Sequence, residues 1–166
     1  REVAMEAVDA VDAITGRAPF VATAFRTALD LLRGHPLLAT PIHTPLRVPI
    51  LGLLQGDGET ELDETFAHLL DDGYRTVKVK VGFDVGADLV QVALIQRVVA
   101  GRAAIRIDAN QGYDAAAAAA FIAGVDPAGI ELFEQPCAAG DWVAHRAAAA
   151  AAARTGLPLM LAESIY

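Results

Sequence analysis

Apolar residues recur at helical spacing over 1–16, where Val3, Ala7, Val8, Val11 and Ile14 fall on one face and Thr15-Gly16 supplies a stop. A second helix is predicted over 19–33, opened by Pro19, carrying Phe20, Ala24, Leu29 and Leu32, and closed by Gly34. Pro36, Pro41, Pro45 and Pro49 then remove backbone donors at short intervals. That stretch reads as a linker, and a domain boundary is placed near 46. A first strand is predicted over 48–54, followed by the flexible Gln55-Gly56-Asp57-Gly58. The helix over 60–72 sets Leu62, Phe66, Leu69 and Leu70 on one face before Gly73. Strand and helix then alternate over 75–81, 86–100, 104–108, 114–123, 130–134, 141–155 and 158–163. The strands read as near-continuous apolar runs, which suits a parallel sheet covered by helices.

Four of these strands close on a charge: Lys80, Asp108, Glu134 and Glu163, at intervals of 28, 26 and 29 residues. That spacing fits one strand, one helix and two short loops, the repeat of a parallel α/β fold. Charges repeated at one end of successive parallel strands converge on one mouth, where barrels of this kind keep their chemistry. A closed eight-stranded barrel takes about 250 residues, and this chain has 166. The expectation is therefore five strands of such a barrel, with the remainder lying outside this sequence.

Composition narrows the partners. With 54% hydrophobic residues and a net charge of −8, the chain can form a real core but offers no basic face. Nucleic acid and anionic membrane surfaces are thus excluded as expected partners. No window reaches the length of a membrane span, and acids interrupt the opening REVAMEAVDAVDAI, so no signal peptide is read there. A single cysteine, Cys137, rules out an intrachain disulfide and suits a cytoplasmic location.

The candidate chemistry sits at the strand ends. Lys78 and Lys80 are two apart, so a strand points both to one face. Two ammonium groups that close repel, which would depress the pKa of one and make it a usable general base. Asp108 and Glu134, one strand apart, suit a hard divalent ion such as Mg²⁺, with Asn110 and Gln135 as orienting neighbours. The four histidines, His35, His43, His68 and His145, lie in a linker or on helices and read as surface or packing residues. Cys137 reads as a small buried filler and Trp142 as an anchor in the helical shell, while Phe83 and Tyr113 either wall the pocket or pack. No glycine-rich phosphate loop occurs in a suitable context.

Taken in order, K-x-K at 78–80, D-A-N at 108–110, E-Q-P at 134–136 and A-E-S at 162–164 resemble the enolase superfamily, in its muconate-lactonizing and mandelate racemase-like branch. The resemblance implies an α/β fold: a partial TIM-type (β/α) barrel, strands one to five, over 47–166. It is preceded over 1–46 by the last helices of an α+β capping domain and a linker. It implies a lyase or isomerase that removes a proton α to a carboxylate through an enediolate stabilised by Mg²⁺ or Mn²⁺. Lys80 would be the base, Lys78 its electrostatic support, and Asp108 and Glu134 the first two metal ligands. The branch places Asp where this chain has Ala162, and a methyl ligates nothing, so Glu163 is the implied third ligand. A one-residue shift along a strand turns a side chain to the opposite face, which counts against Glu163. Dehydration, cycloisomerisation and racemisation or epimerisation of a small carboxylate all stay open, with a homo-oligomer expected at full length. The alternative is a non-catalytic, truncated or decayed homologue with a structural or binding role.

Overall fold

A computed structural model describes the backbone of residues 2–39 and 47–165, and the side chains of 6–37 and 47–165. Pro41, His43 and Pro45 of the predicted linker lie outside the described residues. The chain divides into two compact units, Arg1–Arg47 and Val48–Tyr166.

The first unit is helical. Helix α1 (Glu2–Thr15) packs on α2 (Pro19–Arg33), burying Val11 and Ala22. Pro19 occupies the first helical position of α2, where its missing N–H costs nothing. Gly34 ends the helix at φ 68°, and the amides of Gly34 and His35 donate to Leu31 O and Asp30 O. That left-handed residue is the usual use of glycine at a helix end. A short helix α3 (Pro36–Ala39) forms where the proline spacing had indicated linker. A proline in a first turn removes no helical hydrogen bond, so Pro36 starts this turn rather than preventing it.

The second unit runs β1 (Gly52–Leu53), α4 (Glu59–Asp71), β2 (Thr76–Lys80), α5 (Val85–Val99), β3 (Ala104–Asp108), α6 (Ala115–Gly124), β4 (Ile130–Glu134), α7 (Trp142–Thr155) and β5 (Leu159–Met160). All pairings are parallel, and the sheet order is β1-β2-β3-β4-β5, each strand beside its predecessor. Strands β1 and β5 are shorter than the apolar runs over 48–54 and 158–163 predicted. Each lies at an edge with one neighbour only, so the ladder extends no further than that neighbour pairs with it.

Three successive helices begin the same way. Asp84, Asp114 and Asp141 stand before α5, α6 and α7, and each carboxylate accepts the backbone amide three residues on, at 2.8, 2.8 and 2.9 Å. An aspartate in this position satisfies one orphan donor of the first turn and complements the helix dipole.

The strands alternate rather than running apolar throughout, which corrects the sequence reading. Val77, Val79, Ile105, Ile107 and Phe133 are buried in the core, whereas Thr76, Lys78, Lys80 and Arg106 are only partly buried. Period-two geometry puts these two sets on opposite faces. The core holds Leu62 and Phe66 of α4, Val92 and Ile95 of α5, and a ring cluster in which Phe121 lies 5.5 Å from Tyr113 and 5.1 Å from Phe133. Among the described residues no helix is long and apolar enough to cross a membrane.

Candidate active site

Register assembles the site. Lys80 pairs with Asp108 across β2 and β3, and Asp108 with Glu134 across β3 and β4, so three charged residues stand abreast at the carboxyl ends of three neighbouring strands. Lys78 lies two residues earlier on the same face, and its longer reach brings it to the same level. Its Nζ sits 2.7 Å from Asp108 Oδ2 and 3.0 Å from Glu134 Oε2, while Lys80 Nζ sits 2.7 Å from the same Asp108 oxygen. Asp108 is 2% exposed, and its other oxygen accepts the Asn110 amide at 2.8 Å. A buried carboxylate with this many donors is held ionised.

Proton affinities follow from these contacts. Burial would push the Asp108 carboxyl up, but hydrogen bonds from Lys78, Lys80 and the Asn110 amide outweigh it and hold the group below the usual aspartate range. Burial would likewise pull Lys78 down, yet its hydrogen bonds to Asp108 and Glu134 prevail and hold it above the usual lysine range. Mutual repulsion alone would depress one of the two lysines. Lys78 moves the other way, because a carboxylate oxygen stands between the two ammonium groups.

Glu163 does not join this cluster as a strand residue. Strand β5 ends at Met160, so Glu163 sits in a turn beyond it, and the alternation argument against it does not apply. Among the described residues no group of three or more His, Cys, Asp and Glu side chains is close enough to hold a metal ion. Asp108 and Glu134 meet through Lys78. One of the Glu163 oxygens, Oε2, is buried with no hydrogen-bond partner. A buried carboxylate oxygen in that condition is costly unless something pairs with it.

The turn bearing Glu163 is held by residues that sequence reasoning undervalued. Gln135, fully buried, accepts the Ala162 amide at 2.9 Å and donates to Ser164 Oγ at 2.8 Å and Cys137 O at 2.9 Å. It does so from a left-handed backbone, φ 39°, which a non-glycine residue adopts only under constraint. Gln135 therefore positions the 162–164 turn, not the adjacent Glu134 as its place in the sequence suggested. His145 of α7, read as a packing residue, is buried with Nε2 3.0 Å from Ser164 Oγ. Cys137 is indeed buried, and burial raises its thiol, leaving it a filler and not a nucleophile. Trp142 is more than half exposed, but its ring stands 5.8 Å from that of His145.

Asp88 was not anticipated. It lies in the first turn of α5, 3% exposed, and its Oδ2 accepts the Tyr113 hydroxyl at 2.6 Å and the amides of Gly82 and Phe83 at 3.1 and 3.0 Å. This carboxylate ties the loop after Lys80 to the loop after Asp108. Those loops press together so closely that a Cβ on Gly112 would stand 2.3 Å from Gly82 O. Tyr113 thus packs, while Phe83, 85% exposed, stands at the rim. Beside it a cleft of about 620 Å³ is lined by Lys80, Gln55, Asp57, Phe83, Gln91 and Asn110.

Known proteins are similar to this chain in sequence and in fold. The family described as Enolase C-terminal domain-like matches residues 61–166. The chain belongs to this family. An L-Lys-D/L-Arg epimerase of Methylococcus capsulatus is 35% identical over 134 residues, 74% of this chain and 37% of that protein. A chloromuconate cycloisomerase of Pseudomonas putida is 32% identical over 152 residues, 84% of this chain and 40% of that protein. Among solved structures, muconate cycloisomerase from Pseudomonas fluorescens superposes with a TM-score of 0.62 at 28% identity, covering 70% of this chain and 32% of that one. The chain thus spans well under half the length of the relatives it matches. Its α/β unit is a partial TIM-type barrel, strands one to five.

Proposed function

We propose that this enolase-superfamily chain serves proton abstraction α to a carboxylate, with Lys80 as the base. The observation that carries the reading is the joining of Lys78, Lys80, Asp108 and Glu134 at the carboxyl ends of β2, β3 and β4, with Lys80 alone of the four reaching the cleft. The resemblance implies a divalent cation such as Mg²⁺ or Mn²⁺ on Asp108, Glu134 and Glu163, whose side chains would have to draw together to hold it. Their donor chemistry suits a hard ion, and the unpartnered buried oxygen of Glu163 supports its inclusion. Such an ion would supply Lewis-acid stabilisation of charge developing on the substrate carboxylate. Lys80 takes the α-proton, and Lys78, held charged between Asp108 and Glu134, supports it electrostatically. The Asp88 clamp keeps the loop after Lys80 closed over the cleft wall. In this reading Arg1–Arg47 is the end of a capping domain, and the substrate is a small carboxylate.

Names among the relatives divide between epimerases or racemases of amino-acid substrates and cycloisomerases of chloromuconate. Incubating the full chain with Mg²⁺, D₂O and a panel of dipeptides and N-acylated amino acids, followed by proton NMR, tests the reading. The expected result is loss of an α-hydrogen signal that disappears in Lys80→Ala. Exchange that persists in Lys80→Ala would overturn the assignment of the base. A second reading, a homologue without catalysis, is favoured by Ala162 and by the lack, among the described residues, of a group of three or more His, Cys, Asp and Glu able to hold a metal ion. No exchange with any substrate, together with no Mg²⁺ binding by calorimetry unless Ala162→Asp is introduced, would select it.

A further inference from the structure

We propose that the cleft beside Lys80 reads an amide group, so that the ligand it takes is a monocarboxylate carrying an amide and not a dicarboxylate. Gln55 and Gln91 make the selection. This rests on the reading of Lys80 as the residue that meets the substrate.

The distribution of side-chain amides supports it. The chain has five glutamines and one asparagine. Gln96 donates to Asp126 O and Ala128 O, Gln111 accepts the Ala139 amide, and Gln135 binds the backbone of Cys137 and Ala162. The side chains of Gln55, Gln91 and Asn110 hydrogen-bond to no other described residue, and all three line this one cleft. Gln55 comes from the loop after β1, and half-buried Gln91 from α5, so two separate elements present free carboxamides to one space of about 620 Å³. Such a volume suits a small molecule. Each carboxamide offers an acceptor and two donors, which a ligand amide matches with its own N–H and carbonyl. A ligand without an amide displaces water from these groups and leaves them unpaired.

Charge excludes a second carboxylate. Among the described residues, Lys80 is the only basic one lining the cleft, and its ammonium already stands 2.7 Å from Asp108 Oδ2. Asp57 and Glu61 line the same cleft, and Glu61 commits only Oε2, to the Asp57 amide at 2.8 Å. A dicarboxylate would bring two negative charges where one cation is shared and two acids face it.

Titration of the ¹⁵N-labelled full chain with N-acetyl-L-alanine, succinate and butyrate, read by the side-chain NH₂ signals in proton–nitrogen correlation spectra, provides the test. Signals are assigned by their loss in Gln55→Leu and Gln91→Leu. N-acetyl-L-alanine should shift the Gln55 and Gln91 signals to saturation and leave those of Gln96 and Gln135 in place, while succinate and butyrate move none of them. Either leucine variant should weaken N-acetyl-L-alanine by about two- to tenfold, as expected for one hydrogen bond. Asp57→Asn combined with Glu61→Gln should admit succinate. Equal shifts with succinate or butyrate on the wild type, undiminished N-acetyl-L-alanine binding in the leucine variants, or continued exclusion of succinate from the double variant would refute the proposal. Should Gln91→Leu unfold, Gln55→Leu, at an exposed loop position, decides by the same criteria. The reading of Lys80 fails separately. If both glutamine signals respond while α-hydrogen exchange persists in Lys80→Ala, the base assignment falls and the amide site stands. If exchange requires Lys80 and neither signal responds, the amide site falls and the base assignment stands.

Discussion

Removing the Tyr113 hydroxyl should loosen the two loops that frame the site, by an amount the contacts allow to be estimated. The hydroxyl donates at 2.6 Å to Asp88, a carboxylate 3% exposed that also accepts two loop amides. A hydrogen bond to a charged group contributes about 1.5–3 kcal/mol net. Tyr113→Phe leaves no orphaned hydroxyl, and Asp88 retains its two amides, so the lower part of that range applies, about 1.5–2 kcal/mol. Asp88→Ala removes all three contacts and strands a buried phenol. Because contacts in one network do not add, about 3–5 kcal/mol is expected, not the sum of three full bonds. Urea unfolding of the two single variants and the double variant supplies a cycle in which the double should cost little more than Asp88→Ala. If Tyr113→Phe lies within about 0.5 kcal/mol of wild type, or the two changes are additive, the carboxylate is not the clamp that the geometry describes.

The same pair sets an alkaline limit. Burial first, then the hydrogen bond to charged Asp88, pushes the Tyr113 pKa far up, so the folded state keeps a proton that the unfolded chain releases near pH 10. Stability should fall as pH rises above about 10, and Tyr113→Phe should flatten that decline in thermal melts. Asp108 acts at the other end. Its lowered pKa contributes stability that is present above the ordinary aspartate value and lost as pH falls through the folded one. Asp108→Asn should therefore be less stable than wild type at neutral pH, with the gap closing below about pH 4; a constant gap would count against the ion pairs. Gly112→Ala should cost about 1–3 kcal/mol by urea titration, because its Cβ would meet the backbone oxygen of Gly82. A neutral result would mean that the loops after β2 and β3 are not pressed together.

Much of this architecture is written locally. The three Asp-capped helices, the glycine end of α2 and the strands closing on Lys80, Asp108 and Glu134 depend on residues a few positions apart, so patterning and capping rules reach them. The shared face of Lys78 and Lys80 follows from the two-residue period alone. What patterning could not supply is any contact made across the sheet. Whether a carboxylate would separate the two lysines depended on Asp108 being level with Lys80 and Glu134, which is a matter of register between strands. Asp88 reads in isolation as an ordinary acid in a first helical turn, and His145 as one more helical residue. Their roles appear only when Tyr113 and Ser164, 25 and 19 residues away, are brought against them. Glu163 shows the difference most directly: alternation judged it by the face of a strand, but the edge ladder ends at Met160, and the turn beyond is placed by Gln135 from the neighbouring strand's end. Short-range order is a property of consecutive residues, whereas the state of a charged group is decided by whichever partners the assembled sheet delivers to it.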